Sequence, residues 1–429
     1  FGDAFRMAKR FDDAIRAYQL AQTVSPRSSR FAQKVAEIFI DQEKFDQALE
    51  YLDKYLADQT PQGSQAYERL AFVLGKLSRS EEVLARVQAA AEKDRFNVGL
   101  QYFLGTLYEE AGEIDKAKTI YSSVLKDPQD PRVYASLARI YQKEDRFHDL
   151  ILLLGDALEK QLEGRAGATE AMDEQTKVLS TNPETAQRVV QAARQIHTEN
   201  PKQLKLGARY FVAQVALRAK LHEAAAEFFR LCIAERPKAA PLYRDLAQAL
   251  ELGGLTDDAI QAAGEAIAIE PEEVQGHSTQ AWVYTHAGQY QKAAEKYEQI
   301  LKDFSENGNV ARVARYLLSN IYVQLDDMPK AEKALEEILQ KYPDDESANN
   351  DLGYIWADQG KNLEQAEKMI RKAIEVYAAK REVGQPEQNA AYLDSLGWVL
   401  YKLGRPAEAR KYLEDAAKID GCGFWRIYW

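Results

Sequence analysis

Apolar and small residues recur along this chain at the spacing of amphipathic helices, and no segment alternates as a strand would. The helices come in pairs. The clearest pair carries Tyr243, Leu246, Ala247 and Leu250, then Ala259, Ala263, Ala266 and Pro271. These fill positions 4, 7, 8, 11, 20, 24, 27 and 32 of a 34-residue frame. Small residues at 8 and 20 belong where two antiparallel helices approach most closely, larger ones fill the space around them, and a proline ends the second helix. The same pairing returns in Gly105 with Ala117, Ala281 with Ala293, Gly353 with Ala366 and Gly397 with Ala409. Frames start at residues 29, 64, 98, 131, 206, 240, 274, 312, 346 and 390, and Phe1–Pro26 reads as one more, cut in its first helix.

This frame resembles the tetratricopeptide repeat, a helix-turn-helix unit that stacks on its neighbours. The resemblance implies an all-α solenoid of about eleven helix pairs, wound as a right-handed superhelix. Three steps between frames break the period, and each locates something. A step of 75 sets residues 164–205 apart, as a degenerate repeat of two helices (166–179 and 183–197) or a hinge. It separates an array over 1–163 from one over 206–420. A step of 38 places Asn307-Gly-Asn as a longer loop. A step of 44 comes from a long second helix over 363–381 and the segment after it. The closing residues 421–429 belong to no repeat; Phe424, Trp425, Ile427 and Trp429 are expected to fold back over the last repeat's apolar face or to bind a partner.

Composition narrows the function classes. The net charge of −11 argues against nucleic acid as a partner, because such proteins present a basic face to phosphates. No stretch approaches the roughly 20 apolar residues of a transmembrane helix. Two cysteines 190 positions apart build neither a disulfide framework nor a thiolate zinc site. The five histidines, His148, His197, His222, His277 and His286, lack metal-ligand spacing, and no phosphate loop or nucleophile elbow occurs. No catalytic residue, metal or cofactor is therefore expected. The chain opens at Phe1 with neither an initiator methionine nor a leader pattern, so its beginning is expected to lie upstream.

What the resemblance adds is a binding face. In tetratricopeptide proteins the first helix of each pair lines the concave surface, with positions 2, 5, 9, 12 and 13 pointing into it. Across the last four units these positions hold Trp282 and His286, Tyr316 and Asn320, Asn350 and Tyr354, then Asp394, Trp398, Tyr401 and Lys402. Aromatic rings bury a partner's apolar side chains, and exposed Asn320 and Asn350 amides would bond an extended backbone. The partner expected is a protein or peptide. The family's two-carboxylate clamp is not present: its cation and amide positions hold Asp351, Ala391 and Ser395. The run 326–346, with eight acids against three lysines, reads as a solvated helix surface, or as a dock for a basic partner.

The blocks 348–356 and 392–405 resemble bacterial tetratricopeptide proteins, some of them exported. That implies a bacterial origin and favours a periplasmic or outer-membrane-associated location over the cytoplasm. The function expected is a scaffold or adaptor within a larger assembly; the alternative is the regulatory or targeting arm of an enzyme whose catalytic domain lies outside this chain.

Overall fold

Helix fills nearly all of the computed structural model, which describes residues 1–25, 30–58, 61–126, 132–162, 169–381 and 386–420. No strand occurs among the described residues. The chain divides into two compact units, Phe1–Leu221 and His222–Trp429. The first holds α1 (Gly2–Met7), α2 (Phe11–Val24), α3 (Arg30–Asp41), α4 (Phe45–Asp58), α5 (Gln65–Lys76), α6 (Glu81–Lys93), α7 (Val98–Glu110), α8 (Ile114–Lys126), α9 (Arg132–Lys143), α10 (Phe147–Leu162), α11 (Thr169–Thr181), α12 (Pro183–Glu199) and α13 (Leu206–Arg218). The second holds α14 (His222–Glu235), α15 (Ala240–Leu252), α16 (Thr256–Ile269), α17 (Val274–His286), α18 (Tyr290–Asp303), α19 (Gly308–Gln324), α20 (Met328–Lys341), α21 (Glu346–Asp358), α22 (Leu363–Lys380), α23 (Ala390–Lys402) and α24 (Pro406–Asp420). Each unit is a solenoid of helix pairs.

The 34-residue frame is visible in the backbone. Position 15 is left-handed in all eleven in-frame units: Lys9, Glu43, Ser78, Gly112, Asp145, Lys220, Gly254, Gly288, Asp326, Gly360 and Gly404. The next N–H then returns to the carbonyl of position 11, as in Glu113 to Tyr108 and Asp327 to Tyr322, both 2.8 Å. This Schellman-type turn satisfies carbonyls that the end of the first helix would leave without donors, and it reverses the chain into the second helix.

Packing follows the size of the residue at positions 8 and 20. A Cβ on Gly105 would lie 2.3 Å from the Tyr121 ring, and one on Gly397 would lie 2.5 Å from Leu413. No side chain fits there. Where position 20 is Val83 or Leu150 instead of alanine, the two helices of the pair stay farther apart. Successive first helices also touch directly, α15 on α17 and α21 on α23, more than any two successive second helices among the described residues. The side chains of α15 and α17 thus lie together, as do those of α21 and α23.

The pair α11–α12 departs from this order. It lacks the left-handed turn; Asn182 instead caps α12, accepting from the Glu184 N–H at 2.9 Å. Elsewhere a second helix packs on the next first helix, but α10 packs chiefly on α13, two helices later than expected. A Cβ on Gly155 would sit 2.6 Å from the Ala208 Cβ, and Glu159 accepts the Gly207 N–H at 2.7 Å. The α11–α12 hairpin lies beside this contact, touching α9, α10 and α13.

One expectation is corrected. Asn307-Gly-Asn is not a loop: Asn307 caps α19, accepting from the Asn309 and Val310 N–H groups at 3.1 and 3.3 Å. The four additional residues make one more turn of helix, so α19 has 17 residues where α17 has 13. The long second helix is α22, with 18 residues. Most of the segment after it, 382–385, and the aromatic tail 421–429 lie outside the described residues.

Candidate functional site

On the first-helix face of the second unit the residues singled out from the sequence fall into three groups. The first is on α17. Trp282 is half-buried, and its ring lies 5.3 Å from that of His286, one turn further on. His286 is exposed, and its Nδ1 is 2.9 Å from the Glu251 carboxylate on α15. Glu251 is 4% exposed, and its second oxygen has no hydrogen-bond partner.

The second group joins α19 to α21. The Tyr316 hydroxyl lies beside Asp351 and Asn320; burial, then the Asp351 charge, pushes its pKa well above the ordinary phenol value. Asn320 is exposed, whereas Asn350, expected as an exposed amide, is 6% exposed. Position 5 of α21 is covered because α23 packs directly on this helix. The Asn350 Nδ2 donates to Asp351 at 2.9 Å, and its Oδ1 accepts nothing. Burial raises the Asp351 pKa; the bonds from Asn350 and Tyr316 oppose that shift. Tyr354, one turn beyond Asn350, is half-buried.

The third group is on α23. Trp398 and Tyr401 stack, with centroids 5.8 Å apart and planes at 22°. Tyr401 is 49% exposed, whereas the Trp398 Nε1 is buried without an acceptor. Lys402 lies 4.8 Å from the Trp398 ring centre and donates to the Asp358 carbonyl at 3.1 Å. One turn before Trp398, Asp394 is half-buried, and burial alone pushes its pKa up to about 6.

Sequence periodicity places the aromatic and amide positions and Asp394 on this face, but gives the acids no binding role. Asp351 was read only as a missing clamp position, and Glu251 was not singled out. Acids at positions 5, 6 and 12 of first helices are the signal that finds Asp394, Asp351 and Glu251. The acidic run 326–346, by contrast, is largely neutralised by neighbouring cations. Glu332 holds Lys361 at 2.6 Å, Glu337 holds Arg315 at 2.7 Å, Asp345 holds Arg312 at 2.7 Å, and Asp344 holds Lys372 at 2.6 Å. Among the described residues no three His, Cys, Asp or Glu side chains gather to hold a metal, and no helix is long and apolar enough to cross a membrane.

Comparison with known proteins agrees with this repeat geometry. Tetratricopeptide-repeat family profiles match residues 74–140, 244–310, 284–352 and 344–420, together more than half of the chain. A TPR repeat-containing protein of Pseudomonas aeruginosa is 29% identical over 164 residues, 38% of this chain and 26% of that protein. The matched region thus spans about a quarter of the relative's length. Among solved structures, yeast Tom70 is similar at 15% identity, over 97% of this chain and 83% of that one, with a TM-score of 0.40. MamA of Desulfovibrio magneticus is similar at 18% identity, over 43% of this chain and 97% of that one, with a TM-score of 0.35. The eleven in-frame turns, the small residues at positions 8 and 20 and the profile matches agree, and the chain belongs to the tetratricopeptide repeat family.

Proposed function

We propose that this chain is a non-catalytic scaffold whose first-helix face on α17, α19, α21 and α23 holds an extended segment of a protein partner, within a larger assembly. The observation that carries this reading is the pair of polar atoms there that find no partner among the described residues, the Asn350 Oδ1 and the Trp398 Nε1, beside half-exposed rings. A buried polar group without a partner costs about 1–3 kcal/mol, which an arriving backbone donor or acceptor relieves. Rings already held by packing lose little freedom when a partner's apolar side chain covers them.

The test is selection from a random dodecapeptide pool on the immobilised full chain, followed by rebinding to Asn320→Ala and Tyr401→Ala. Both side chains are exposed, so their loss should leave the melting temperature nearly unchanged. Recovered peptides should bind Tyr401→Ala roughly tenfold or more weakly. Peptides that bind both variants at full strength would move the binding surface elsewhere.

A further inference from the structure

We infer that the segment held on this face presents a lysine or arginine side chain, seated on Asp351 and Asn350, with Asp394 supplying a second negative charge from the neighbouring first helix. This rests on the binding reading above and names the chemistry the face selects.

Among the described residues Asp351 is served by neutral groups, the Asn350 amide at 2.9 Å and the neighbouring Tyr316 hydroxyl. Those bonds orient the carboxylate without neutralising it. Several cations on the adjoining helices are engaged with other acids: Arg312 with Asp345, Arg315 with Glu337, Lys372 with Asp344, Lys380 with Glu346 at 3.2 Å, and Arg371 with Glu367 at 2.7 Å; none acts on Asp351 among the described residues. Lys402 lies on the Asp358 carbonyl and the Trp398 ring. Other groups that act on Asp351 do not compensate it, since Asp345 adds repulsion and Tyr392 is a neutral phenol. Asp394 has neither a hydrogen bond nor an ion pair among the described residues.

The Asn350 amide makes the vacancy specific. Its NH2 end is fixed on Asp351, because the opposite orientation would set oxygen against oxygen. Its oxygen is then buried without a donor on a residue that is 6% exposed. An uncompensated carboxylate and an orphan acceptor lie at one spot, and what is missing is a donor that carries positive charge. An ammonium has three N–H donors and no acceptor, and a guanidinium has five. A backbone N–H would serve the Asn350 oxygen but leave the Asp351 charge uncompensated. An acidic segment would be repelled. Half-buried charge without a counter-ion destabilises a fold, so a face that carries two such acids is incomplete without a cation.

The same dodecapeptide selection tests this on the full chain. Lysine or arginine should recur at one fixed position of the recovered peptides. Asp351→Asn and Asp394→Asn should each weaken them about tenfold or more and raise the melting temperature, a combination that a merely structural carboxylate does not produce. Binding should also weaken steeply with added salt. Peptides that need Tyr401 but carry no fixed basic residue, or that bind Asp351→Asn at full strength, overturn this inference and leave the binding face standing. If nothing is recovered, or binding ignores Tyr401 and Asn320, the binding face falls as well. Should Asp351→Asn fail to fold, Asp394→Asn and the salt series decide alone.

Discussion

The first helices of the two units use equivalent repeat positions in opposite ways. In the first unit these positions carry charges that satisfy one another across successive repeats. Glu37 on α3 lies between Arg6 on α1 at 2.5 Å and Arg69 on α5 at 3.0 Å, and Glu109 on α7 holds Arg139 on α9 at 2.9 Å. In the second unit the corresponding positions carry tryptophan, tyrosine and asparagine with Asp351 and Asp394, neither of which has a cation partner among the described residues. A solenoid needs each repeat only to grip its neighbours, and the ion pairs of α1, α3 and α5 add to that grip. Acids with no counter-ion among the described residues are where a partner is expected.

One chemical change should therefore act with opposite sign in the two units, and this is the largest effect expected. Glu37→Gln leaves Arg69 without its carboxylate, while Arg6 keeps Asp41 at 2.8 Å; the Glu37 side chain is 13% exposed, so about 1–3 kcal/mol should be lost. Asp351→Asn and Asp394→Asn remove charge that burial opposes and should stabilise. Denaturant titration of the three variants reads both signs. A loss of stability in all three would show the two faces to be built alike.

These differences were legible in the sequence only in part. The repeat was legible because close helix contact demands small residues, and Gly105, Gly353 and Gly397 mark that contact directly. The extra turn of α19 was hidden because Asn-Gly signals a turn as readily as a helix cap, and only the chain before it decides. The seating of α10 on α13 depends on Gly155 meeting Gly207 and Ala208 across an intervening hairpin, and no local pattern encodes that meeting. At the site, ring and amide positions follow from helical periodicity. Periodicity also puts Asp351 and Asp394 on first helices, but nothing in the sequence shows how deeply they are buried, and burial is what separates them from the rest of the chain's 67 acidic residues.

A smaller effect sharpens the contrast through pH. Burial lifts Asp394 to about 6 from the ordinary 3.8, so the folded chain holds this proton more tightly than the unfolded chain does. Its contribution to stability is fully present below about pH 4 and is lost as pH rises through about 6. Asp3 in the first unit is the reverse case. The Tyr18 hydroxyl at 2.7 Å and Lys34 at 3.3 Å lower its pKa. Its contribution is present above the ordinary carboxylate range and fades as pH falls below it. Asp394→Asn and the parent chain should therefore unfold alike near pH 4 and diverge towards pH 7, with the variant more stable. Asp3→Asn should be the less stable chain at pH 7 and converge with the parent in acid. Parallel curves for Asp394→Asn would mean that its carboxylate is solvated.

The smallest expected effect lies in the turns, where the units also differ. Position 15 is left-handed throughout, yet in the first unit it is Lys9, Glu43, Ser78, Asp145 or Lys220 in every in-frame turn but that of Gly112. In the second unit it is Gly254, Gly288, Gly360 or Gly404, and only Asp326 is not glycine. A side chain in this region costs about 1–2 kcal/mol because its Cβ crowds the following carbonyl. Part of that is recovered on mutation away from glycine, which loses more backbone freedom on folding. Gly288 has φ of +70° and open space around its missing Cβ, so Gly288→Ala should lose about 1 kcal/mol through backbone strain alone. Ser78, at φ 58°, offers the mirror experiment, and Ser78→Gly should gain somewhat under about 1 kcal/mol. Amide exchange at the turn amides, Arg79 and Gln289, would register both changes locally, with protection rising at Arg79 and falling at Gln289. If Ser78→Gly instead loosens its turn, the serine side chain is contributing to the fold there and the first unit's turns are not the strained ones.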